Sequence, residues 1–166
     1  SDGGGDKCFT LISKGAKWKV APEDWVVDGT NSAGLDSSLV DDNIAAAIFE
    51  WEDFDDDNVE NFDILGNGGE GAVDRASMGN STNGVNEIAF ADIDSPGAIA
   101  VNFAWGIFFG PPQTRELVEW DQFYDDKDFD WSFDGSAGTM DFLNIATHER
   151  SEEHTSELQS QFRISY

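Results

Sequence analysis

Two long apolar segments separated by a Gly-Pro-Pro turn constrain the fold more than any other feature of this chain. The first segment, residues 98–109, carries large apolar side chains at alternate positions: Ile99, Val101, Phe103, Trp105 and Ile107. Alternation with a period of two is typical of a β-strand. Residues 110–112 end this strand, and residues 116–125 form a second apolar strand. The sequence therefore predicts a β-hairpin, which needs a further layer of structure to bury its apolar side chains.

A helix is the second element with a clear pattern. Its apolar side chains recur at helical spacing: Val40, Ile44, Ala47, Ile48 and Trp51. Ser38, followed three residues later by Asp41, has the spacing of a capping box and predicts the helix start. Shorter strands are predicted at residues 25–27 and 87–92, and a second helix near Met140. Strands and helices without regular alternation predict an α+β, mixed three-layer fold in one domain.

The balance of charge excludes several classes of partner. The chain has 34 Asp and Glu against 9 Lys and Arg, a formal net charge of -25 at pH 7. A chain of this charge repels the phosphates of nucleic acids and the headgroups of anionic membranes. No segment reaches the roughly 18 apolar residues of a membrane span. A surface this acidic also suits a protein kept soluble in concentrated salt, where repulsion between charges is screened.

Two further motifs match known ligand-binding patterns only in part. Residues 66–71 have the Gly-x-Gly-x-x-Gly spacing of a dinucleotide-binding turn, but no helical pattern follows and Glu70 would repel a pyrophosphate. We interpret this segment as a flexible loop. Residues 53–57 begin like an EF-hand calcium loop, but Asn58 stands where glycine is needed and Ile64 where glutamate is needed. A solvated acidic surface is the simpler interpretation of that segment.

A cluster of aspartates follows the second strand of the hairpin. Five of them lie within ten residues: Asp125, Asp126, Asp128, Asp130 and Asp134. Carboxylates at this density repel one another unless they are solvated, spread apart or neutralised. Calcium tolerates irregular loops of oxygen ligands and would neutralise them. A calcium site and a screened acidic surface are both open interpretations of this cluster.

The order and spacing of several segments resemble the catalytic domain of matrixin-type metzincin zinc endopeptidases. These segments are Lys17 to Lys19, Trp25 to Val27, Ala46 to Trp51, Gly84 to Phe90, Ile99 to Trp105, Leu117 to Asp125, Trp131 to Gly138 and Asn144 to Glu149. The resemblance implies the upper subdomain of such a protease: a twisted, mostly parallel sheet, one long backing helix and the start of the active-site helix. It also implies a secreted, monomeric enzyme that acts on protein or peptide substrates, although no signal peptide is visible in the chain.

The metzincin zinc motif is His-Glu-x-x-His-x-x-Gly-x-x-His, in which histidines four residues apart share a helical face. By resemblance, His148 takes the first zinc-ligand position and Glu149 the position of the general base that activates zinc-bound water. The rest of the motif is absent. Glu152, Thr155 and Leu158 stand at the second-ligand, glycine and third-ligand positions.

The resemblance also bears on the aspartate cluster. In matrixins an acidic turn between the last strand and the active-site helix binds structural calcium, and Asp125 and Asp128 fall at that place. Phe123 stands where a histidine would hold a structural zinc, so a second zinc is not expected. The implied ions are therefore Zn²⁺ in the intact domain and Ca²⁺ at the turn.

The departure from the zinc motif begins at residue 150 and has a specific explanation. Residues 150–160 match the in-frame translation of a common sequencing adapter, and residues 161–166 fit the index region that follows it. A natural polar tail is the alternative. We therefore divide the chain into a flexible Gly-rich leader (1–7), a protease-like domain cut within its zinc motif (8–149) and an adapter-derived tail (150–166).

Two hypotheses of function follow. The first is the N-terminal part of a zinc metalloendopeptidase, in which zinc-activated water hydrolyses a peptide bond with Glu149 as general base. The chain itself is predicted to be inactive, because one imidazole cannot hold zinc in the metzincin manner. The second is a non-catalytic acidic α+β module that binds calcium or a protein partner through its Asp-rich loops.

Overall fold

The structure is a computed structural model that describes residues 16–19, 23–53, 65–154 and 163–165. Within these ranges the strands are β1 (Lys17–Trp18), β2 (Glu23–Asp28), β3 (Leu65–Glu70), β4 (Asn86–Ala91), β5 (Ala98–Ile107), β6 (Glu116–Asp125), β7 (Trp131–Ser132), β8 (Met140–Asp141) and β9 (Arg163–Ser165). The helices are α1 (Ser37–Asp53) and α2 (Phe142–His154), and a 3-10 turn spans Pro112–Thr114. The predicted leader and most of the EF-hand-like segment lie outside these ranges. None of the helices described here is long and apolar enough to cross a membrane.

The main sheet is mixed and mostly parallel. Its strand order is β3-β2-β4-β6-β5-β9, and β1 also pairs with β6. The first four strands of this order and β1 run parallel, whereas β5 is antiparallel to both β6 and β9. Strands β7 and β8 form a separate parallel pair. With its two helices the chain has the α+β fold that the sequence predicts, and the mostly parallel sheet is confirmed.

The predicted hairpin is confirmed as β5 and β6. Their antiparallel pairing runs from Ala100 opposite Tyr124 to Ile107 opposite Glu116. The large side chains of β5 do not all face the helices. Ala100 lies in the helix-side core, whereas the ring of Phe103 packs on the opposite face against Phe123, with ring centroids 6.1 Å apart. A small side chain in β5 suits the helix side, because a helix can then approach the sheet closely.

Both helices pack on one face of the sheet around a common core. Helix α1 contributes the predicted apolar face, with Val40, Ile44, Ala47 and Ile48 all buried. Helix α2 begins at Phe142, whose ring is fully buried among the rings of Phe90, Tyr124 and Trp131. Burial of this aromatic cluster against α1 and α2 holds the start of α2 against the sheet.

The predicted start of α1 is wrong by two residues. Asp36, rather than Ser38, caps the helix: its Oδ1 accepts the backbone N–H groups of Ser38 at 3.0 Å and Leu39 at 3.2 Å. The Asp36 carbonyl also accepts the N–H of Val40 at 3.0 Å, the first bond of the helical ladder. Both aspartate and serine are good capping residues, so local sequence alone did not separate the two positions.

Residues 66–70 of the glycine-rich segment 66–71 form a strand rather than the predicted flexible loop. They form most of β3 and pair in parallel with β2, with Trp25 opposite Gly68. A Cβ atom on Gly68 would lie 2.0 Å from Cδ2 of Trp25, so glycine is required there by the indole that crosses it. The dinucleotide-like spacing therefore reflects packing between two strands.

Candidate functional site

The two residues with predicted zinc chemistry lie in the second turn of α2. The sequence predicts a helix from about Met140, and the structure confirms it as Phe142–His154. Asp141 stabilises its first turn by accepting the N–H of Asn144 at 3.2 Å. His148 is exposed, whereas Glu149 is 2% exposed. The predicted zinc ligand, His148, therefore faces solvent, whereas the predicted general base, Glu149, is buried.

A chain of side-chain hydrogen bonds connects Glu149 with the interior of the sheet. Nδ2 of Asn102 on β5 donates to Oε2 of Glu149 at 2.9 Å. Nε2 of Gln122 on β6 donates to Oδ1 of Asn102 at 2.9 Å, and the hydroxyl of Tyr124 donates to Oε1 of Gln122 at 2.9 Å. Gln122 and Tyr124 are fully buried. All three donors point in the same direction along this series of hydrogen bonds. The last group in the series, Glu149, therefore has to be an acceptor, as a carboxylate is.

Sequence reasoning missed Asn102 as the partner of Glu149, and Gln122 and Tyr124 as the rest of the network. The available signal was the presence of two amide side chains within otherwise apolar strands. Buried amides almost always have hydrogen-bond partners, so their presence predicts a polar network without naming its members.

The residues present do not fit a zinc site. In the described parts of the chain, no group of three or more His, Cys, Asp or Glu side chains is placed to hold a metal ion. His154 lies six residues beyond His148, which corresponds to about 240° of rotation along a helix. A spacing of six residues does not place two side chains on one helical face, and Glu149 is bonded to Asn102. We derive no zinc-dependent step from this arrangement.

The aspartate cluster after β6 is spread apart, and backbone N–H groups occupy much of it. Asp125 is fully buried and accepts the N–H groups of Ile93 at 3.0 Å, Lys127 at 2.9 Å and Asp128. The indole N–H of Trp131 donates to the Asp125 carbonyl at 2.7 Å. Asp125 thus connects the segments that contain Ile93, Lys127 and Trp131. Calcium binding at Asp125 and Asp128 stays a prediction.

Other members of the cluster bond to serines. Asp126 accepts the N–H of Ser32 at 2.7 Å and its hydroxyl at 3.0 Å. Asp134 accepts the hydroxyl and the N–H of Ser136, and these hydrogen bonds lower the pKa of Asp134. Hydrogen-bond donors therefore surround several of the carboxylates that lie within ten residues of one another.

A second group of carboxylates, absent from the sequence predictions, is buried on the face of the sheet away from the helices. We call it the buried acid cluster: Glu87 on β4 with Glu119 and Asp121 on β6, which are 2%, 1% and 0% exposed. Glu87 and Asp121 stand directly opposite each other in the parallel register of the two strands. Like charges in such a pair destabilise a sheet unless they are neutralised or solvated.

An open groove of about 1030 Å³ lies on this same face. Its walls include Met78, Gly79, Ile93, Phe103 and Phe123. Asp92 and Asp94 also line the groove, and Nζ of Lys127 lies 3.0 Å from the Asp92 carboxylate. The groove therefore combines aromatic walls with acidic side chains.

Comparison with known proteins assigns no family: no protein-family model matches the chain, and no curated protein matches it. Conclusions about function therefore depend on the residues and their geometry.

Proposed function

We propose that residues 8–149 form the N-terminal part of a zinc-dependent metalloendopeptidase domain of the type that the sequence resembles. The observation that supports this proposal most is the position of α2 beside β5. Glu149, at the position of the general base, is bonded directly to Asn102 of β5. A peptidase of this class needs its base next to the strand along which a substrate is aligned.

The outer edge of β5 supports peptide binding. It pairs antiparallel with an extended segment, β9, with Ala98 opposite Ser165 and Val101 opposite Arg163. Without the tail residues of β9, β5 would be the edge strand of the sheet, and its N–H and C=O groups could accept an extended peptide in the same way. A substrate aligned there would extend alongside the strand whose Asn102 contacts α2.

We expect the 1–166 chain to show no zinc-dependent peptide cleavage, because the described residues supply no complete ligand set for the metal. The measurement is hydrolysis of a quenched fluorescent peptide library with and without added zinc. Cleavage that zinc supports and that Glu149→Ala abolishes would contradict this expectation.

A gain of zinc affinity tests the position of His148. Glu152→His would add an imidazole four residues after His148 on α2, and residues at this spacing share a helical face. We expect zinc to bind at least about tenfold more tightly than to the unmodified chain. The measurement is zinc titration in competition with a chromophoric chelator.

Glu153→His is the matched control, because it adds the same side chain one residue further around the helix. Equal gains for both variants, or no gain for either, would show that α2 does not present His148 as a first zinc ligand. Independent sequencing of the gene beyond codon 149 provides a second test. A second and third histidine at motif spacing would support the protease, whereas a stop codon or unrelated polar sequence would favour the non-catalytic module.

A further inference from the structure

The loop from Asp74 to Gly84 is bound to the sheet largely through the buried acid cluster. The N–H of Gly79 donates to Oδ2 of Asp121 at 3.0 Å, and that of Gly84 to Oε2 of Glu119 at 2.6 Å. The remaining donors to the cluster are the N–H of Asp74 to Glu87, the N–H of Asn83 to Glu119 and Nδ2 of Asn83 to Glu87. We call residues 74–84 the carboxylate-bound loop.

One further anchor lies near the start of this loop. The guanidinium of Arg75 donates to the Phe90 carbonyl at 2.6 Å and lies 2.8 Å from the Asp28 carboxylate. Arg75 is therefore bonded to Asp28 and to the backbone of β4.

The charged side chains that act on Asp121 are Glu119 on its own strand and Glu87 on β4. Phe103, opposite Asp121 on β5, carries no charge.

The donors of the loop argue against a metal ion in the buried acid cluster. A cation is normally surrounded by oxygen ligands, whereas here the loop directs N–H groups at the carboxylates. The carboxylates of Glu87 and Glu119 are already occupied by these donors. One oxygen of the cluster is left without a donor from the loop, and a proton is the smallest group that could neutralise it.

That oxygen is Oδ1 of Asp121. It is buried and, in the part of the chain that the structure describes, accepts no hydrogen bond of normal geometry, although the backbone of Glu87 is near enough to the carboxylate to lower its pKa. Burial, together with the charges of Glu119 and Glu87, raises the pKa of Asp121 to about 7. A proton on this carboxyl would remove one of three neighbouring charges, and a neutral carboxyl oxygen without a partner costs less free energy when buried than a charged one.

We propose that the carboxylate-bound loop is a pH-dependent conformational switch, packed on the sheet while Asp121 is protonated and released when Asp121 is ionised. An ionised, buried Asp121 needs water, and the loop lies directly on this carboxylate, since the N–H of Gly79 bonds to its Oδ2. Release would move Met78 and Gly79 away from Phe103 and Phe123. The aromatic groove on this face would then widen, so its accessibility would depend on pH.

The direction of the pH dependence follows from linkage. The closed loop holds Asp121 with a pKa of about 7, against an ordinary value of 3.8 in water. Closure is therefore most favourable at low pH, weakens as the pH rises between these two values, and is constant above the higher one. One proton accounts for a change of up to about tenfold in the closing equilibrium per pH unit.

Amide hydrogen exchange in the 1–166 chain tests this proposal. After correction for intrinsic exchange, protection of residues 74–84 should fall by about tenfold per unit between about pH 5 and 7, and then level off. Asp121→Asn keeps the side-chain shape and an oxygen acceptor for Gly79 but cannot titrate. Protection in this variant should not change over the same range.

Two further measurements separate the switch from general loosening. The methyl resonance of Met78, which lies in the loop and is 2% exposed, should shift with the Asp121 titration. That of Met140 on β8, the second of two methionines, should not. Glu87→Gln removes the opposing charge and should move the midpoint to lower pH.

Identical pH dependence in the wild-type chain and Asp121→Asn would overturn the proposal. Millimolar calcium that restores the protection of residues 74–84 at pH 7.5 would also overturn it. In that case a bound cation, rather than a proton on Asp121, would neutralise the cluster. The switch does not depend on the proposed protease function, since neither His148 nor Glu149 takes part in it.

Discussion

Phe142→Ala is expected to lower the free energy of unfolding by about 3 to 5 kcal/mol. Phe142 is fully buried at the first residue of α2. Its ring centroid lies 4.9 Å from that of Tyr124, 5.5 Å from Phe90 and 5.7 Å from Trp131. The substitution would leave a cavity among three rings that cannot all collapse into it. Urea denaturation followed by tryptophan fluorescence measures the loss.

Phe109→Ala is the matched control for this prediction. The same atoms are removed, but Phe109 is 78% exposed in the turn that follows β5. Its effect should stay within about 0.5 kcal/mol. Equal losses for the two variants would show that α2 is not packed on the sheet through Phe142, and the proposed placement of His148 and Glu149 beside β5 would lose its support.

Asp125→Ala is expected to lower the free energy of unfolding by about 2 to 4 kcal/mol, with EDTA present throughout. The substitution removes the acceptor of three backbone N–H groups, from Ile93, Lys127 and Asp128. Asp125 is 0% exposed, so its removal leaves an internal space, and the partly buried N–H of Ile93 loses an acceptor that water replaces only in part. Asp125→Asn should cost less, because one oxygen acceptor remains.

Asp128→Ala distinguishes the structural role of Asp125 from the predicted calcium site. Asp128 is exposed, so its replacement should change stability by less than about 0.5 kcal/mol in EDTA. Thermal denaturation with EDTA and with calcium compares the two conditions. If Asp125→Ala were harmless in EDTA and destabilising only with calcium, the three N–H bonds would not be the main function of this carboxylate.

Local patterns predicted most of the regular structure, because each depends on neighbours within a few residues. The spacing of Val40, Ile44 and Ile48 was sufficient for α1, and the Gly-Pro-Pro turn was sufficient for the β5–β6 hairpin. The errors occurred where the deciding contact is distant in the chain. Residues 66–70 form a strand because β2 lies beside them, and Trp25 explains Gly68.

The candidate site likewise has a part that local sequence predicts and a part that depends on distant contacts. The helix that carries His148 and Glu149 was predictable from its own sequence. The partner of Glu149 was not, since Asn102 is 47 residues away and reaches it only because α2 packs against β5. The departure from the metzincin zinc motif after Glu149, in contrast, is a matter of residue types alone.

The sequence by itself determined the α+β class, the hairpin, the apolar face of α1 and the position of the His-Glu pair on a helix. The tertiary structure alone decided which of the 34 acidic residues are buried. Glu87 and Asp121 are far apart in the chain, and the parallel register of β4 and β6 places them opposite each other. The chemistry of a carboxylate depends on its solvation and on the donors and charges around it, and these come from strands and loops that local sequence does not bring together.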